Sequence, residues 1–152
     1  MDDIILQPIG LVRNSIPDKK HHGWKGVISE ILIKEKYVPA LYGLSEFSHV
    51  IVLFWLHEVT TEERATTKGH PQNKVEIPEL GIFAWHSSRR PNPIGMSIVR
   101  LLEIEADRVT VQGLDAINGT PVLDLRPYVE SYYHVDNPKE PEWVRQTREK
   151  GN

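Results

Sequence analysis

The chain has 152 residues, no cysteine and a formal net charge of −3. That length suggests one domain, 1–152, able to bury roughly 70% of its unfolded surface without covalent staples. The absence of cysteine excludes disulfides, thiolate zinc sites and cysteine nucleophiles and fits a cytoplasmic setting, while the net charge excludes a chain-wide electrostatic grip on nucleic acid.

The start, Met1-Asp2-Asp3, is acidic and lacks the basic residues and apolar run of a signal peptide. Strands are predicted over Ile4–Val12 and Val27–Ile33. A single helical turn is expected near Pro39–Leu44. Val50–Leu56 is apolar on both faces, the pattern of a central strand buried on both sides. It is also the longest apolar run, far short of the about 20 residues a bilayer span needs. Thr60–Leu80 is polar and long for a loop, the mark of a lid or a mobile segment. Further strands are predicted over Gly81–Trp85, Ser97–Ile104, Arg108–Leu114 and Pro121–Leu125. Glu105-Ala106-Asp107 should turn one hairpin. Pro141–Lys150 reads as a terminal helix with proline near its first turn. No internal repeat or second domain is visible. The fold expected is mainly β: a small closed or strongly curved barrel of about seven strands with a short C-terminal helix.

Three stretches could carry chemistry. In Arg89-Arg90-Pro91-Asn92-Pro93-Ile94-Gly95, each residue before a proline is pushed out of the helical region. Arg90 and Asn92 are thereby aimed by a stiff backbone. Arginine offers a planar fork to phosphate or carboxylate, and asparagine donates and accepts at once, which suits an adenine edge. Gly95 allows a ligand to approach closely or the chain to bend. The plainer reading is a rigid connection with solvated arginines. The second stretch runs from Leu114 to Tyr128. Asn118-Gly119 signals a type I′ hairpin turn, surrounded by Asp115, Asn118, Thr120, Asp124 and Tyr128, polar groups suited to ribose hydroxyls, an amino group or a cation. The third is the rim of the apolar strand, Ser48-His49 and His57-Glu58. Alternation puts both histidines on the face of Ile51, Leu53 and Trp55, and a capped core histidine is the plainer account. His21-His22-Gly23-Trp24-Lys25 is a solvated turn or an aromatic face for a base or sulfonium. The seven histidines show no zinc spacing. There is no nucleophile elbow, no P-loop and no dinucleotide-binding glycine pattern.

Four blocks in order, Ile9-Gly10-Leu11-Val12, Gly43-Leu44-Ser45-Glu46-Phe47-Ser48-His49, Arg90-Pro91-Asn92-Pro93-Ile94-Gly95-Met96-Ser97 and Asn118-Gly119-Thr120-Pro121-Val122-Leu123-Asp124-Leu125-Arg126-Pro127-Tyr128, resemble the TsaA-like family, also called TrmO or YaeB. The resemblance implies a small β-barrel that works as a homodimer, with S-adenosylmethionine near the subunit interface. It implies methylation of N6 of threonylcarbamoyladenosine beside the anticodon of tRNA, with no metal and no membrane. It also implies a site. The cofactor would lie against His22, Gly23, Trp24, His57, Glu58, His86, Asp115, Ile117, Asn118, Gly119 and Thr120. Arg89, Arg90 and Arg126 would grip tRNA phosphates or the threonyl carboxylate. Asn92 would orient the base or the cofactor, with Asp124 or Tyr128 as conceivable bases.

The chain departs from the family in places. The family usually has Thr-Arg where Trp85-His86 stand, commonly a proline where Ser88 stands, and aspartate where Asn118 stands. His86 replaces an arginine only in part, because its charge depends on pH. Bacterial members often carry a further C-terminal domain, so this chain would be the minimal catalytic unit. The alternatives are a barrel that binds S-adenosylmethionine or RNA without catalysis, and a methyltransferase acting on another substrate.

Overall fold

The computed structural model describes residues 3–148. Six strands close a barrel: β1 (Gly10–Arg13), β2 (Ile28–Ile33), β3 (His49–Trp55), β6 (Ile94–Glu105), β7 (Arg108–Gln112) and β8 (Pro121–Pro127). Their order around the barrel is β1-β2-β7-β6-β3-β8, and every neighbouring pair is antiparallel. Two further strands, β4 (Lys68–Gly69) and β5 (Leu80–Gly81), pair only with each other. The chain forms two compact units. The barrel unit comprises the residues up to Val59 with Pro93–Tyr128, and the second unit comprises Thr60–Asn92 with the segment from Val129 onward.

Alternation sorts each barrel strand. Val12, Ile31, Val50, Val52, Val99, Val109, Val111 and Val122 point inward and are buried. β-branched side chains are stiff and suit a pleated, crowded surface. On β3, Val50, Val52 and Phe54 enter the core, Ile51 is buried on the other face, and Leu53 and Trp55 are half-buried. The expectation of a strand covered on both sides therefore holds most fully at Ile51.

Several boundaries differ from expectation. Of the first predicted strand only Gly10–Val12 pairs, and the observed strand runs one residue further, to Arg13; Ile4, Ile5 and Leu6 are exposed and in no ladder. Gly81–Trp85 is not a barrel strand: after β5 the chain closes a tight 3-10 turn over Ile82–Ala84. The single turn near Pro39 is a longer 3-10 stretch, Glu35–Leu41, followed by another over Leu44–Glu46. Thr60–Leu80 is organised rather than loose. It opens with α1 (Thr61–Arg64), where Thr60 and Glu63 form a reciprocal capping box. Two helices follow β8, α2 (Glu130–Tyr133) and α3 (Glu142–Arg148), and the last two residues predicted for the terminal helix lie outside the described residues. No helix among the described residues is long and apolar enough to cross a membrane.

The expected Asn118-Gly119 hairpin is absent. β7 and β8 are not neighbours, since β6 and β3 lie between them on one side. Residues 113–120 instead cross the barrel end and bury Leu114, Ala116 and Ile117. Gly119 has φ 81, whereas Asn118 is not among the residues with positive φ, so the I′ requirement for two such residues is unmet. The predicted turn at Ala106-Asp107 does join neighbouring strands, β6 and β7, with Ala106 at φ 53.

Gly95 faces Phe54 across the β3–β6 ladder. A Cβ on Gly95 would overlap the Phe54 ring. The close approach suspected from sequence is thus made by a core ring. Gly95→Ala should destabilise the protein by about 1–3 kcal/mol through overpacking, read as a lower urea midpoint with an unchanged slope; an unchanged midpoint would show that the ring moves aside freely.

Candidate functional site

Antiparallel closure divides the connections between two poles. At one pole β1, β3 and β7 end while β2, β6 and β8 begin. Residues 14–27 and 113–120 connect barrel strands there, and the segment 56–93 leaves and rejoins the barrel there. His22, Gly23, Trp24, His57, Glu58, Asp115, Ile117, Asn118, Gly119 and Thr120 all lie on these connections. Three sequence-distant groups are thereby brought to one end of the barrel.

Polar contacts lock two of the connections together. Asn14 Nδ2 donates to Ser29 Oγ and to the Ala116 carbonyl, each at 2.9 Å. Its Oδ1 accepts from Ile16 N at 3.0 Å. Asn118 Oδ1 accepts from Asn14 N at 3.1 Å, and Asn118 N donates to the Ile16 carbonyl at 2.8 Å. Gly119 N donates to the Val12 carbonyl at 2.7 Å. The amides of Asn118 and Gly119 are thus committed to the barrel, while their surfaces stay exposed. Thr120 is buried, and its amide closes the turn onto the Ile117 carbonyl at 3.2 Å. Losing Asn14 would strand the buried Ser29 hydroxyl and a carbonyl, at about 1–3 kcal/mol for each unpaired group.

Against this frame stand Asp115, His21 and Trp24. Asp115 makes no side-chain hydrogen bond among the described residues. Burial pushes its carboxyl above the usual aspartate range, and the charge of His21 pulls it partly back. The His21 ring meets Trp24 edge-on, with centroids 4.8 Å apart and planes at 75°. His21 Nε2 is buried without a hydrogen-bond partner. Gly23, beside Trp24, takes φ 85 and reverses the loop. An unpaired carboxylate, an orphaned imidazole nitrogen and an aromatic ring form a cluster suited to a cationic, hydrogen-bonding ligand.

The second unit holds His86, Arg89, Arg90 and Asn92. Arg90 is aimed, but at its own loop: Nη1 donates to the Trp85 carbonyl at 3.0 Å, and its guanidinium lies 5.9 Å from the centre of the Phe83 ring. Arg89 reaches Glu63 at 3.6 Å. His86 and Asn92 are exposed. The Trp85 indole nitrogen is buried without a partner.

The remaining expected residues lie elsewhere on the barrel. Arg126 and Tyr128 sit at the far end of β8, where Tyr128 N donates to the His49 carbonyl at the start of β3. At about 3.3 Å per residue, the length of β8 puts some 20 Å between Thr120 and this end. Asp124 faces Leu53, accepts from Leu125 N at 3.0 Å and pairs with Arg126 Nε at 3.0 Å. His49 is exposed and meets Ser48 Oγ at 2.8 Å. That far pole also carries an apolar recess of about 470 Å³ lined by Ile9, Tyr37, Leu41, Phe47 and Leu125. No group of three or more histidine or carboxylate side chains among the described residues could hold a metal.

Reading the sequence missed Asn14 and Ser29, and put His21 in a candidate loop without giving it a role. Asn14 follows the first strand and His21 adjoins an expected site residue, but nothing in either neighbourhood announces a buried partner.

A family described as the tRNA-methyltransferase O N-terminal domain matches residues 12–134. The chain belongs to that family. An S-adenosyl-L-methionine-binding protein of Archaeoglobus fulgidus is 35% identical over 130 residues, covering 82% of this chain and 89% of that one. The human tRNA (adenine(37)-N6)-methyltransferase is 38% identical over 109 residues, covering 67% of this chain and 23% of that protein. The crystal structure of TrmO from Pseudomonas aeruginosa superposes with a TM-score of 0.72 at 31% identity, covering 91% of this chain and 61% of that one. The chain therefore spans less than two thirds of that TrmO structure.

The raised pKa of Asp115 has a checkable consequence. A carboxyl whose folded pKa lies above its unfolded value favours folding most when protonated, and that advantage is lost as pH rises through the folded value. Asp115→Asn should therefore be more stable than the parent at neutral pH, with the gap closing as pH falls toward about 4. Urea unfolding across that window checks it; a gap independent of pH would show that Asp115 has its ordinary pKa.

Proposed function

We propose that this chain is an S-adenosylmethionine-dependent methyltransferase acting on N6 of adenine beside the tRNA anticodon, with threonylcarbamoyladenosine as the target nucleoside. Kinship with the human tRNA (adenine(37)-N6)-methyltransferase carries this reading. The residues fit the cofactor. Trp24 offers a face for a sulfonium. Asp115 offers a carboxylate for an ammonium or ribose hydroxyls, and His21 Nε2 lacks a partner. Bound S-adenosylmethionine supplies an electrophilic methyl group.

The work of the chain is positioning, which can supply roughly 7–11 kcal/mol of rate enhancement. His22, Gly23, Trp24, His57, Glu58 and Asp115 would hold the cofactor from three connections of one pole. Ile117 and Thr120 act indirectly, as buried anchors of the turn that carries Asn118 and Gly119. Arg89, Arg90 and Arg126 would take tRNA phosphates or the threonyl carboxylate. Asn92, stiffened by the prolines on either side, would orient the adenine edge. N6 must lose a proton, and Asp124 and Tyr128 stand away from the cofactor pole of their own barrel. We therefore place them as proton acceptors supplied by a second copy.

A homodimer serves that arrangement. Ile94, Met96 and Ile98 repeat at every second residue of β6 and are 40%, 63% and 49% exposed, an apolar strip that a second copy would cover. A tRNA substrate supports a cytoplasmic setting. Met96→Glu should shift the protein to a monomer in analytical ultracentrifugation; a parent that is already monomeric would remove the dimer from the mechanism.

The activity is tested with purified protein, S-adenosylmethionine and tRNA carrying threonylcarbamoyladenosine, followed by nucleoside mass spectrometry. The expected product is the N6-methylated nucleoside. Trp24→Ala should weaken cofactor binding several-fold, the scale of a lost cation–π contact. Asn92→Ala should lower kcat/KM with the cofactor Kd unchanged. Cofactor binding without transfer to any tRNA would instead make the chain a binding barrel.

A further inference from the structure

We infer that Phe83, with the Arg90 guanidinium held across its ring, is a stacking platform for an unpaired nucleobase of the RNA substrate. This rests on the RNA-directed activity proposed above and adds a residue that the activity does not itself require.

Phe83 sits in the middle of the tight turn Ile82–Ala84. Ile82 is 3% exposed, and its amide donates to the Thr67 carbonyl at 2.9 Å, so the turn is pinned on one side. Pinning Ile82 inward turns Phe83 outward, where 80% of its surface is open. Burying a phenyl ring normally favours the folded state, and this turn forgoes that gain.

Arg90 explains how the ring is prepared. Its guanidinium lies 5.9 Å from the ring centre. It is held there by its bond to the Trp85 carbonyl, by its own amide donating to the Ser88 carbonyl at 2.9 Å, and by Pro91, which restricts its backbone. An aromatic ring beside an arginine plane is the pairing on which unstacked bases of single-stranded RNA settle. Arg89 follows on the same segment with its side chain 56% exposed, and its contact with Glu63, at 3.6 Å, is long for a charge-assisted bond. A phosphate could displace it.

The surroundings favour a base over a protein partner. Ile82 is buried and Trp85 half-buried, and the exposed chain neighbours of the ring are Gly81, Ala84, His86 and Ser88, small or polar residues. A protein interface needs on the order of 800 Å² per partner with an apolar centre, and one ring among such residues does not supply it. A base needs one open face.

The test measures fluorescence anisotropy of an anticodon stem–loop RNA against the full chain across a salt series, with cofactor affinity and methyl transfer measured on the same proteins. Phe83→Ala should weaken RNA binding about 5- to 150-fold and leave both the salt slope and the S-adenosylmethionine Kd unchanged. Phe83→Trp should restore RNA binding. Arg89→Ala should lower the salt slope by about 0.7, the signature of one lost phosphate contact on a single strand. Parent-like RNA binding by Phe83→Ala would overturn the inference, as would a change in its oligomeric state, which would make the ring a contact between copies. RNA held through Phe83 by a protein that transfers no methyl group would support the platform and overturn the enzymatic reading alone. A parent that binds no RNA would overturn both.

Discussion

Antiparallel closure is the constraint on which the rest depends. Because each of the six strands runs opposite to both neighbours, strand ends and strand starts alternate around each rim. Residues 14–27 and 113–120 must then share one pole, which is also where the chain leaves the barrel after β3 and rejoins it at β6, whatever their sequences. A closed barrel also has no free edge to protect, so its inner face can be filled with valine and isoleucine. Phe54 is the largest ring among those inward residues, and it fits because Gly95 has no side chain opposite it.

The shared pole would be only a set of loops without the asparagine contacts. Asn14 satisfies a buried hydroxyl, a carbonyl and an amide, and Asn118 satisfies a second amide from across the pole. The two connections become one rigid edge. Beside it stands Asp115, an exposed residue whose carboxyl is only partly withdrawn from solvent, and His21 with an unpartnered ring nitrogen. Those groups are costly in the free protein, and a hydrogen-bonding cation would relieve them. The amide oxygen of Asn118 serves the contact with Asn14 without a charge.

The arginine–proline segment works differently from its first appearance. Stiffness is real there, yet Arg90 commits Nη1 to the Trp85 carbonyl and lays its guanidinium against Phe83. The segment is part of a preorganised surface in which an aromatic ring, and not only an arginine fork, is presented outward. Trp85 and His86 follow directly on the turn that presents the ring.

Barrel class and most strand positions were legible from alternation, and the stiff segment and the family from X-Pro spacing and the order of the four blocks, because these depend on neighbours within a few residues. The sequence alone therefore determined the fold class, the stiff segment and the family. Partners more than a hundred residues apart were not legible. Nothing near Asn118 tells that it bonds Asn14 in place of closing a hairpin, because the signal for a tight turn is local and strand order is not. For the same reason Asp124 and Tyr128 read as neighbours of the Asn118 turn, whereas extended β8 carries Tyr128 to the opposite pole. Only the tertiary structure decided which loops meet, since that follows from which strands pair, and pairing is set by burial summed over the whole barrel.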